Sequence, residues 1–444
     1  MPFRSIAAPA HAIRLDARAL TSARVSAWSF AAKALLFTTL LAAPLAFGAV
    51  QAWAWASLGI LALLVLIFWA IDSMQHRVLR IWWSWLYLPG ALFLLLGGIQ
   101  YFGRLTVDPL GTRESLLKLS IDLVLFFVAT QLFMNQAEES LLRFGFIVTV
   151  YAFAMGLFAI LQYGSSNGRI FWTVEPNGWT FGSYVNHNHY AGLMELLIPV
   201  AVGHLLSRRE HDPARMFLGF AVLVPIASLL LSGSRGGLVS LFAELLILGG
   251  VLLVRFRRQG RLGLATILAL GTVGAGLFLW LDGGQITAHL ATVFQVPRSP
   301  EATVGDRIVM ARDSLRILRD HPWVGIGLGS FEDAYPRYQS FSSDFVVNHA
   351  HNDYVEALVE TGAVGGTFIL LALAIFFRRA FANLHERLQL RVGWVQLGAA
   401  LGCCGLLVHS LADFNFHIPA NAAWFCASLA VALSGRVPDA TLRS

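Results

Sequence analysis

Charged residues are scarce in this chain of 444 residues. Aspartate, glutamate, lysine and arginine together make up 13% of it, whereas hydrophobic residues make up 57% and the mean hydropathy is +0.64. A soluble domain is about a quarter charged, so this composition excludes a soluble enzyme, a disordered chain and a fibrous protein. It also argues against an outer-membrane barrel, whose alternating strands do not form long apolar runs. The class that remains is an all-α polytopic membrane protein.

Lysine and cysteine are also rare. Lys33 and Lys118 are the only lysines, so 30 of the 32 basic residues are arginines. The net charge of +6 is thus an arginine excess, and it does not indicate nucleic-acid binding. The three cysteines all lie in apolar runs, so no disulfide framework is indicated. They are Cys403, Cys404 and Cys426.

Long apolar runs fill most of the chain. A membrane span needs roughly 20 apolar residues, and the runs predict twelve helical spans. They lie near residues 31–50, 53–72, 83–102, 116–134, 142–163, 188–207, 216–232, 237–255, 262–281, 353–377, 393–411 and 418–434. We expect the first to be a retained helix rather than a signal peptide, because a tail of about thirty residues precedes it.

Arginine placement predicts the orientation of these spans. With the N-terminus in the cytoplasm, 20 arginines fall on the cytoplasmic side and four in short outer loops. The four are Arg104, Arg113, Arg169 and Arg235. This asymmetry is the one expected when positive charge is retained inside. The other six arginines lie in the outer segment 282–352, which is too long to follow that rule.

The spans and charges together predict the organisation of the chain. Polar chemistry is concentrated in the outer loops, which indicates that the functional site faces outward. The predicted parts are a basic cytoplasmic tail over 1–30, spans one to nine within 31–281, a large outer loop over 282–352, spans ten to twelve within 353–434, and a cytoplasmic tail over 435–444.

The large loop carries a helical pattern after Gly305-Asp306-Arg307. Its predicted apolar face, suited to the membrane interface, consists of Ile308, Ala311, Leu315 and Leu318. Its predicted solvated face consists of Arg312, Arg316 and Arg319. Arg307 differs from these arginines because it stands at the helix start beside a glycine. A helix N-terminus with an adjacent arginine is suited to phosphate oxygens.

Arg235 is the second candidate phosphate ligand. It lies in the turn Ser232-Gly233-Ser234-Arg235-Gly236-Gly237, which joins spans seven and eight at their outer ends. Small residues let a ligand approach the backbone closely, and such a guanidinium is held in one place near the bilayer surface. The alternative is an arginine that snorkels to the lipid headgroups.

The densest polar cluster is Asn348-His349-Ala350-His351-Asn352-Asp353-Tyr354, where the large loop returns to the membrane. Glu356 and Glu360 follow it. Polar residues at that depth are costly and usually functional, and a neutral histidine could accept a proton there. The two histidines could instead bind a metal ion. The sequence shows no clear set of further metal ligands. A role as a general base, or as a hydrogen-bond donor to phosphate, is therefore favoured over metal binding.

Two further clusters are predicted on the same outer side. His187-Asn188-His189-Tyr190 opens the sixth span much as His351-Asn352-Asp353-Tyr354 opens the tenth, and Asp413-Phe414-Asn415-Phe416-His417 joins the last two spans. We expect the histidine clusters to face one outer cavity. The glycines of His321–Gly329 predict a tight turn near the membrane, and Gly362 and Gly366 predict close packing of the tenth span against a neighbour.

These motifs resemble the O-antigen ligase and polymerase family of bacterial inner-membrane proteins. His351-Asn352, followed after nine residues by Gly362-Ala363-Val364-Gly365, is similar to the ligase signature. Arg235 and Arg307 stand before it in the order in which the ligases place functional arginines. The twelve predicted spans and the large outer loop before the tenth are similar as well.

The resemblance implies a glycosyltransferase with a GT-C-like arrangement and its active site at the periplasmic face of the inner membrane. Its donor would be an undecaprenyl-diphosphate-linked glycan, and its acceptor a hydroxyl of the lipid A–core oligosaccharide. It implies inverting transfer with no cofactor and no metal. His351 would be the base, and Arg235 and Arg307 would hold the diphosphate. His349, Asn352, His187 and His189 would complete the substrate-binding set.

Three other functions stay open. The nearest is an O-antigen or exopolysaccharide polymerase that uses the same donor, and the second is a ligase that transfers glycan to protein. The third is a polytopic transporter, which should carry ionisable residues near the middle of the bilayer. Glu195 and Glu244 are the candidates for that role. The concentration of polar residues at one face disfavours transport.

Overall fold

A computed structural model describes residues 26–77, 79–134, 138–175, 178–209, 211–256, 304–342 and 346–435. In these ranges the protein is helical, and the extended structure consists of two isolated bridges, Ile170 with Val174 and Phe181 with Tyr184. The composition-based prediction of an all-α membrane protein is therefore confirmed for the described part of the chain.

In the part of the chain that the structure describes, eight α-helices precede the large loop. They are α1 (Ala27–Leu45), α2 (Ala52–Gln75), α3 (Tyr87–Phe102), α4 (Pro109–Phe133), α5 (Glu138–Ser165), α6 (His187–Leu206), α7 (Ala214–Ser232) and α8 (Arg235–Phe256). The later helices are α9 (Val304–Asp320), α10 (Phe331–Ala334), α11 (Asp353–Ala380), α12 (Leu384–Arg387), α13 (Arg391–His409) and α14 (Pro419–Leu433).

Nine of the described helices are long and apolar enough to cross a membrane, namely α1, α2, α4, α5, α6, α7, α8, α11 and α13. The shorter helices α3 and α14 are also apolar. These eleven helices lie where eleven of the twelve spans were predicted. The predicted ninth span, 262–281, falls outside the described residues, as do the terminal segments 1–25 and 436–444.

The centre of the bundle is formed by α6 and α13, which pack along each other more extensively than any other pair of helices. Glycines permit this approach. A Cβ at Gly398 would lie 2.2 Å from the carbonyl oxygen of Pro199, and one at Gly203 would lie 2.2 Å from that of Trp394. Small residues at a helix interface bring backbones together in this way. As a result, the polar groups of α6 and α13 lie side by side.

The face of the loop helix that packs on the protein is not the predicted apolar face. Ile308 and Leu315 are exposed on α9, whereas Met310 and Ile317 are fully buried. The reason is that α9 packs on other parts of the large loop and on α11. This small core contains Ile326, Phe331, Ala334, Tyr335, Val347, Ala350 and Val359.

Asp313 also belongs to the buried face of α9. Its Oδ2 accepts hydrogen bonds from the backbone N–H and the hydroxyl of Ser340, each at 2.9 Å. A buried carboxylate needs such donors, and here they come from a remote stretch of the same loop. The side of α9 that remains exposed carries Ile308, Leu315 and the arginines Arg312, Arg316 and Arg319.

Helix α11 is broken at Gly362, where φ is 62° and ψ is −163°. This backbone region is essentially restricted to glycine. The break leaves carbonyl groups before it and N–H groups after it without intrahelical partners. The glycine-rich turn provides partners for both sets of groups. The four hydrogen bonds are Ile326 N–H to Val359 O, Gly327 N–H to Glu360 O, Ala363 N–H to Pro322 O and Val364 N–H to Trp323 O.

The glycines of this region thus serve a tight turn docked on a kinked helix. A Cβ at Gly362 would lie 2.3 Å from the carbonyl carbon of Trp323, and one at Gly325 would lie 2.3 Å from that of Glu360. The turn predicted near the membrane is present. The use predicted for Gly362, close packing of an unbroken helix, is wrong, because its Cβ position is filled by the turn.

Candidate functional site

The turn between α13 and α14 is the centre of the polar cluster at this end of the bundle. Its backbone carbonyls are held by residues of the large loop and α11. Arg307 donates from Nη1 to Ala412 O at 2.6 Å, and Asn352 donates from Nδ2 to Leu411 O at 2.8 Å. The N–H of Asp353 bonds to the carbonyls of Ser410 and Asp413. Residues far apart in sequence therefore meet on one short turn.

Asp413 lies at the bottom of this turn and is fully buried. Three histidines from three elements surround its carboxylate. Its Oδ1 is 3.5 Å from His351 Nδ1 and 3.9 Å from His189 Nε2, and its Oδ2 is 4.0 Å from His409 Nε2. His189 and His351, from the openings of two predicted spans, thus converge on one carboxylate.

The charge of Asp413 is maintained by these rings. Burial alone would raise the pKa of the carboxyl, but its interactions with His351, His189 and His409 hold that pKa well below the usual range. Asp413 is therefore ionised at neutral pH. A carboxylate that faces one nitrogen of an imidazole orients the ring and stabilises its protonated form. With Nδ1 of His351 directed to Asp413, Nε2 is the nitrogen that can accept a proton.

His351 is held in a backbone conformation that side chains rarely adopt, with φ at 49°. The next residue, Asn352, caps α11, and its Oδ1 accepts from the N–H groups of Tyr354 and Val355. An asparagine cap of this kind stabilises a helix start. The side chain of Asn352 thus joins the helix N-terminus to the turn that bears Asp413.

Phe414 is an aromatic wall for the histidines. Its ring stacks on that of His349 with a centroid separation of 4.2 Å, and the rings of His189 and His351 meet it edge-on at 4.7 and 5.1 Å. Edge and face contacts of this kind favour defined ring orientations. The three imidazoles are therefore fixed relative to one another.

A second carboxylate group lies beside the first. His349 Nδ1 is 2.7 Å from Glu356 Oε1, and His417 Nε2 is 3.3 Å from the same oxygen. The other carboxylate oxygen of Glu356 accepts from the N–H of Ala350. His417 Nδ1 bonds to Asp353 Oδ1 at 2.9 Å. Burial lowers the pKa of His417, but Glu356 and Asp353 outweigh it and raise that pKa to about 10.

This second group is the candidate metal site of the described residues. One ligand atom from each of His349, Glu356 and His417 lies within 4.8 Å of the others, a donor set that zinc accepts. In the structure the three side chains bond to one another, with Asp353 behind His417. The side chains that could bind a metal ion are thus also paired with one another.

Arg235 begins α8 and is exposed. The turn before it is fixed by Trp179 and His187, whose rings stack at 4.0 Å. His187 Nδ1 lies 2.9 Å from Ser232 O, and a Cβ at Gly233 would lie 2.8 Å from the Trp179 ring. His187 thus contacts the arginine turn, whereas His189, two residues later, contacts Asp413.

The arginine turn and the histidine cluster are joined through α13. A Cβ at Gly236 would lie 2.4 Å from His409 Nε2, and one at Gly237 would lie 3.3 Å from Glu195 Oε1. His409 Nδ1 is 2.8 Å from Glu195 Oε1. The glycines that follow Arg235 therefore allow the start of α8 to rest directly on this buried pair.

The structure brings most of the predicted site residues to one face. His189, His349, His351, Asn352 and Arg307 surround the turn that carries Asp413, and His187 lies on the adjoining turn that leads to Arg235. The sequence analysis places the Asp413–His417 cluster on the outer side but gives its members no role, and it does not single out His409. The available signal for His409 is a polar side chain inside an apolar run.

Residues 220–370 match the protein family Wzy_C, described as O-antigen ligase. The match covers about a third of the chain and includes Arg235, Arg307, His349, His351 and Asn352. A comparison with curated proteins finds no match. The resemblance inferred from the motifs is thus confirmed as a similarity to this family over residues 220–370.

Proposed function

We propose that the protein is an O-antigen ligase of the bacterial inner membrane. It transfers glycan from an undecaprenyl-diphosphate donor to a hydroxyl of the lipid A–core oligosaccharide at the periplasmic face. The observation that carries this proposal is the pairing of His351 with Asp413, on a turn whose neighbouring residue, Ala412, accepts a hydrogen bond from Arg307. A base and a phosphate-binding cation are the two groups that such a transfer requires.

Direct displacement balances the chemistry in one step. The acceptor oxygen forms a bond to the anomeric carbon while the bond from that carbon to the diphosphate oxygen breaks, which inverts the carbon. The hydroxyl proton passes to His351 Nε2, and Asp413 stabilises the imidazolium that forms. The undecaprenyl diphosphate leaves with an added negative charge, which Arg235 and Arg307 stabilise.

The remaining binding residues have supporting roles in this proposal. His349 and Asn352 position the base and the start of α11. His189 faces the same oxygen of Asp413 as His351 does, and His187 fixes the turn of Arg235. Because two arginines supply the positive charge at the leaving group, we propose that transfer needs no metal ion. Activity of the purified protein should then survive EDTA. Loss of transfer, with recovery on addition of a divalent ion, would instead assign a metal to His349, Glu356 and His417.

The proposed topology has twelve spans, a ninth over 262–281 and a periplasmic loop over 282–352, with both termini cytoplasmic. It is supported by the arginine asymmetry and by the position of the candidate site. His187, Arg235, His351 and the turn at Asp413 lie at the same end of their helices, which is the end predicted to face outward.

The lipopolysaccharide pattern of a deletion strain tests the function. Loss of all long chains, with lipid-linked O-antigen retained, is the result expected of a ligase. Core carrying a single repeat would instead indicate a polymerase that uses the same donor. An unchanged pattern would contradict both and direct attention to exopolysaccharide or protein as the acceptor. Complementation with the wild-type chain and with His351→Ala links the pattern to this site.

A further inference from the structure

A line of alternating carboxylates and imidazoles runs inward from His351. Asp413 follows at 3.5 Å, then His409 at 4.0 Å from the other Asp413 oxygen, then Glu195 at 2.8 Å from the far nitrogen of His409. The exposed fraction falls along it, from 18% for the His351 side chain to 1% for His409 and 0% for Glu195. The line therefore leads from the candidate base into the bundle.

His409 lies between two carboxylates, and this position determines its charge. Its Nδ1 bonds to Glu195 and its Nε2 faces Asp413. A neutral imidazole has one N–H donor, whereas an imidazolium has two. Only the imidazolium offers positive charge to both carboxylates, the hydrogen-bonded Glu195 at 2.8 Å and the more distant Asp413 at 4.0 Å. The arrangement therefore favours a protonated His409 beside an ionised Glu195. Ionisable groups this deep in a membrane bundle are costly to bury, and they are usually functional.

We propose that Glu195 and His409 are positioning residues that hold a proton behind Asp413 and thereby adjust how readily His351 accepts the acceptor proton. The idea rests on the proposed function, because it assumes that His351 is the base. The proton of the acceptor hydroxyl moves to His351 Nε2 as before. The Glu195–His409 pair gains and loses no proton in the step, and it sets the charge that Asp413 presents to His351.

Other titratable groups surround the line. The groups that face it from the packed elements are His189 on α6, Glu244 on α8, Arg307 on α9, His349 before α11, and His351 itself. Coupled groups of this kind titrate together rather than one by one. Removal of one negative charge disfavours protonation of the set as a whole.

Glu244 offers a matched control. It is a buried carboxylate in the same part of the bundle, on α8, but it has no hydrogen bond with the line. It lines a cavity of about 650 Å³ between α6, α7, α8 and α13, whose other lining residues are apolar. Glu244→Gln therefore replaces a buried carboxyl group of the same type without removing a member of the line.

The experiment measures transfer by purified wild type, Glu195→Gln and Glu244→Gln, with an undecaprenyl-diphosphate-linked oligosaccharide and lipid A–core. Glutamine keeps the size of Glu195 and an oxygen for His409, so the fold should be retained. We expect kcat to fall by about tenfold or more with the donor KM unchanged. The acid side of the kcat profile should move to lower pH, and the solvent deuterium isotope effect should change.

Glu244→Gln should match wild type in all of these measurements. Equal losses in both variants, or a loss in Glu195→Gln with an unchanged pH profile and isotope effect, would reduce Glu195 to a structural role. If wild type and Glu195→Gln transferred glycan equally well, the inference would be refuted and the ligase assignment would stand.

Infrared difference spectroscopy provides a test that is independent of transfer. The spectrum of wild type minus that of Glu195→Gln should show the band of an ionised carboxylate. In His409→Gln this band should be lost or displaced. A protonated Glu195 in wild type would refute the inference even if the substrates proved to be different. Absence of transfer by wild type, with the ionised band present, would refute the proposed function alone.

Discussion

Arginine and lysine carry the same charge but differ in shape, and the site should distinguish between them. A planar guanidinium can hold two diphosphate oxygens at once, whereas an ammonium acts as a point charge. Arg235→Lys and Arg307→Lys should therefore reduce transfer sharply. The alanine variants should lose roughly two or more orders of magnitude, since the interaction is strongest at the transition state. Purified variants should be assayed for both transfer and donor binding.

The arginines of α9 provide the control for that comparison. Arg319→Lys alters an exposed side chain on the same helix as Arg307, and it should leave both donor binding and transfer unchanged. If Arg307→Lys behaved like Arg319→Lys, the contact of Arg307 with Ala412 O would be purely structural. The diphosphate would then need another partner.

Histidine and glutamine both form hydrogen bonds, but only histidine can serve as a base at neutral pH. His351→Gln should be about as inactive as His351→Ala, while donor binding should weaken much less than in the arginine variants. Turnover and donor binding on the same preparations separate these effects. Near-normal turnover of His351→Gln would show that the histidine positions a substrate and that the proton goes elsewhere.

His417 gives a prediction about stability and pH. Its pKa is raised from 6.5 to about 10 by Glu356 and Asp353 despite its burial. The folded protein thus keeps a proton that the unfolded chain releases near 6.5. This contribution is complete below about pH 6.5 and is lost as the pH rises towards 10. Thermal unfolding in detergent should show a fall in wild type over this range that is smaller in His417→Gln.

The exposed His321 allows a control for that series. His321→Gln should follow the wild-type curve at every pH. Parallel curves for wild type and His417→Gln would mean that the cluster around Glu356 makes no pH-dependent contribution in this window.

At the scale of elements, the break in α11 is the feature most sensitive to a single methyl group. Gly362→Ala places a side chain in a glycine-only backbone region, which costs about 1–3 kcal/mol, and drives it into the backbone of Trp323. The glycine-rich turn should detach, which would lower both the unfolding temperature and transfer. Gly98→Ala in α3 is the control, because its Cβ would meet nothing within 4 Å. Equal behaviour of the two variants would contradict the docking.

The loop helix α9 shows what an amphipathic pattern can and cannot establish. The apolar period predicted a helix near Arg307, and α9 contains it. The pattern does not identify the face that packs on the protein, where Met310 and Ile317 lie with Phe331 and Tyr335. Asp313, on the same buried side, accepts from Ser340 through Oδ2, and its Oδ1 lies 3.2 Å from Nη1 of Arg316. No local pattern reveals Ser340, a partner that lies 27 residues away.

At the scale of the whole molecule, the orientation is the prediction that affects all others. Residues 282–352 should be periplasmic and residues 255–261 cytoplasmic. The reason is that 20 of the 24 arginines in the tails and short loops lie on the side predicted to be cytoplasmic, where positive charge is retained. Single cysteines introduced at positions 340 and 258, in a chain without the native cysteines, can be tested with an impermeant reagent. Position 340 should react in cells with a permeable outer membrane. Labelling there only after the inner membrane is opened would overturn the topology.

Much of the architecture was predictable because a membrane span is a local property of the sequence. Eleven apolar runs gave eleven helices, each recognisable from its own residues. The site was predictable only in part. His351 and Arg307 were found through local motifs. Glu195 lies on α6, whereas His409 ends α13 and Asp413 lies in the turn after it. Their meeting depends on the glycine contacts between α6 and α13. Such packing is a property of pairs of helices, which no single window of sequence contains.

The length of α11 has a consequence for the lipid substrate. Its 28 residues extend about 42 Å at about 1.5 Å per residue, whereas the hydrocarbon core is about 30 Å thick. Val364–Ala380, beyond the break, covers most of that thickness alone. The part before the break, with Asp353 and Glu356, then stands at the depth of the headgroup phosphates. A lipid-linked diphosphate could meet His351 there while its prenyl chain stayed dissolved in the bilayer, so catalysis would not require the lipid to be lifted out.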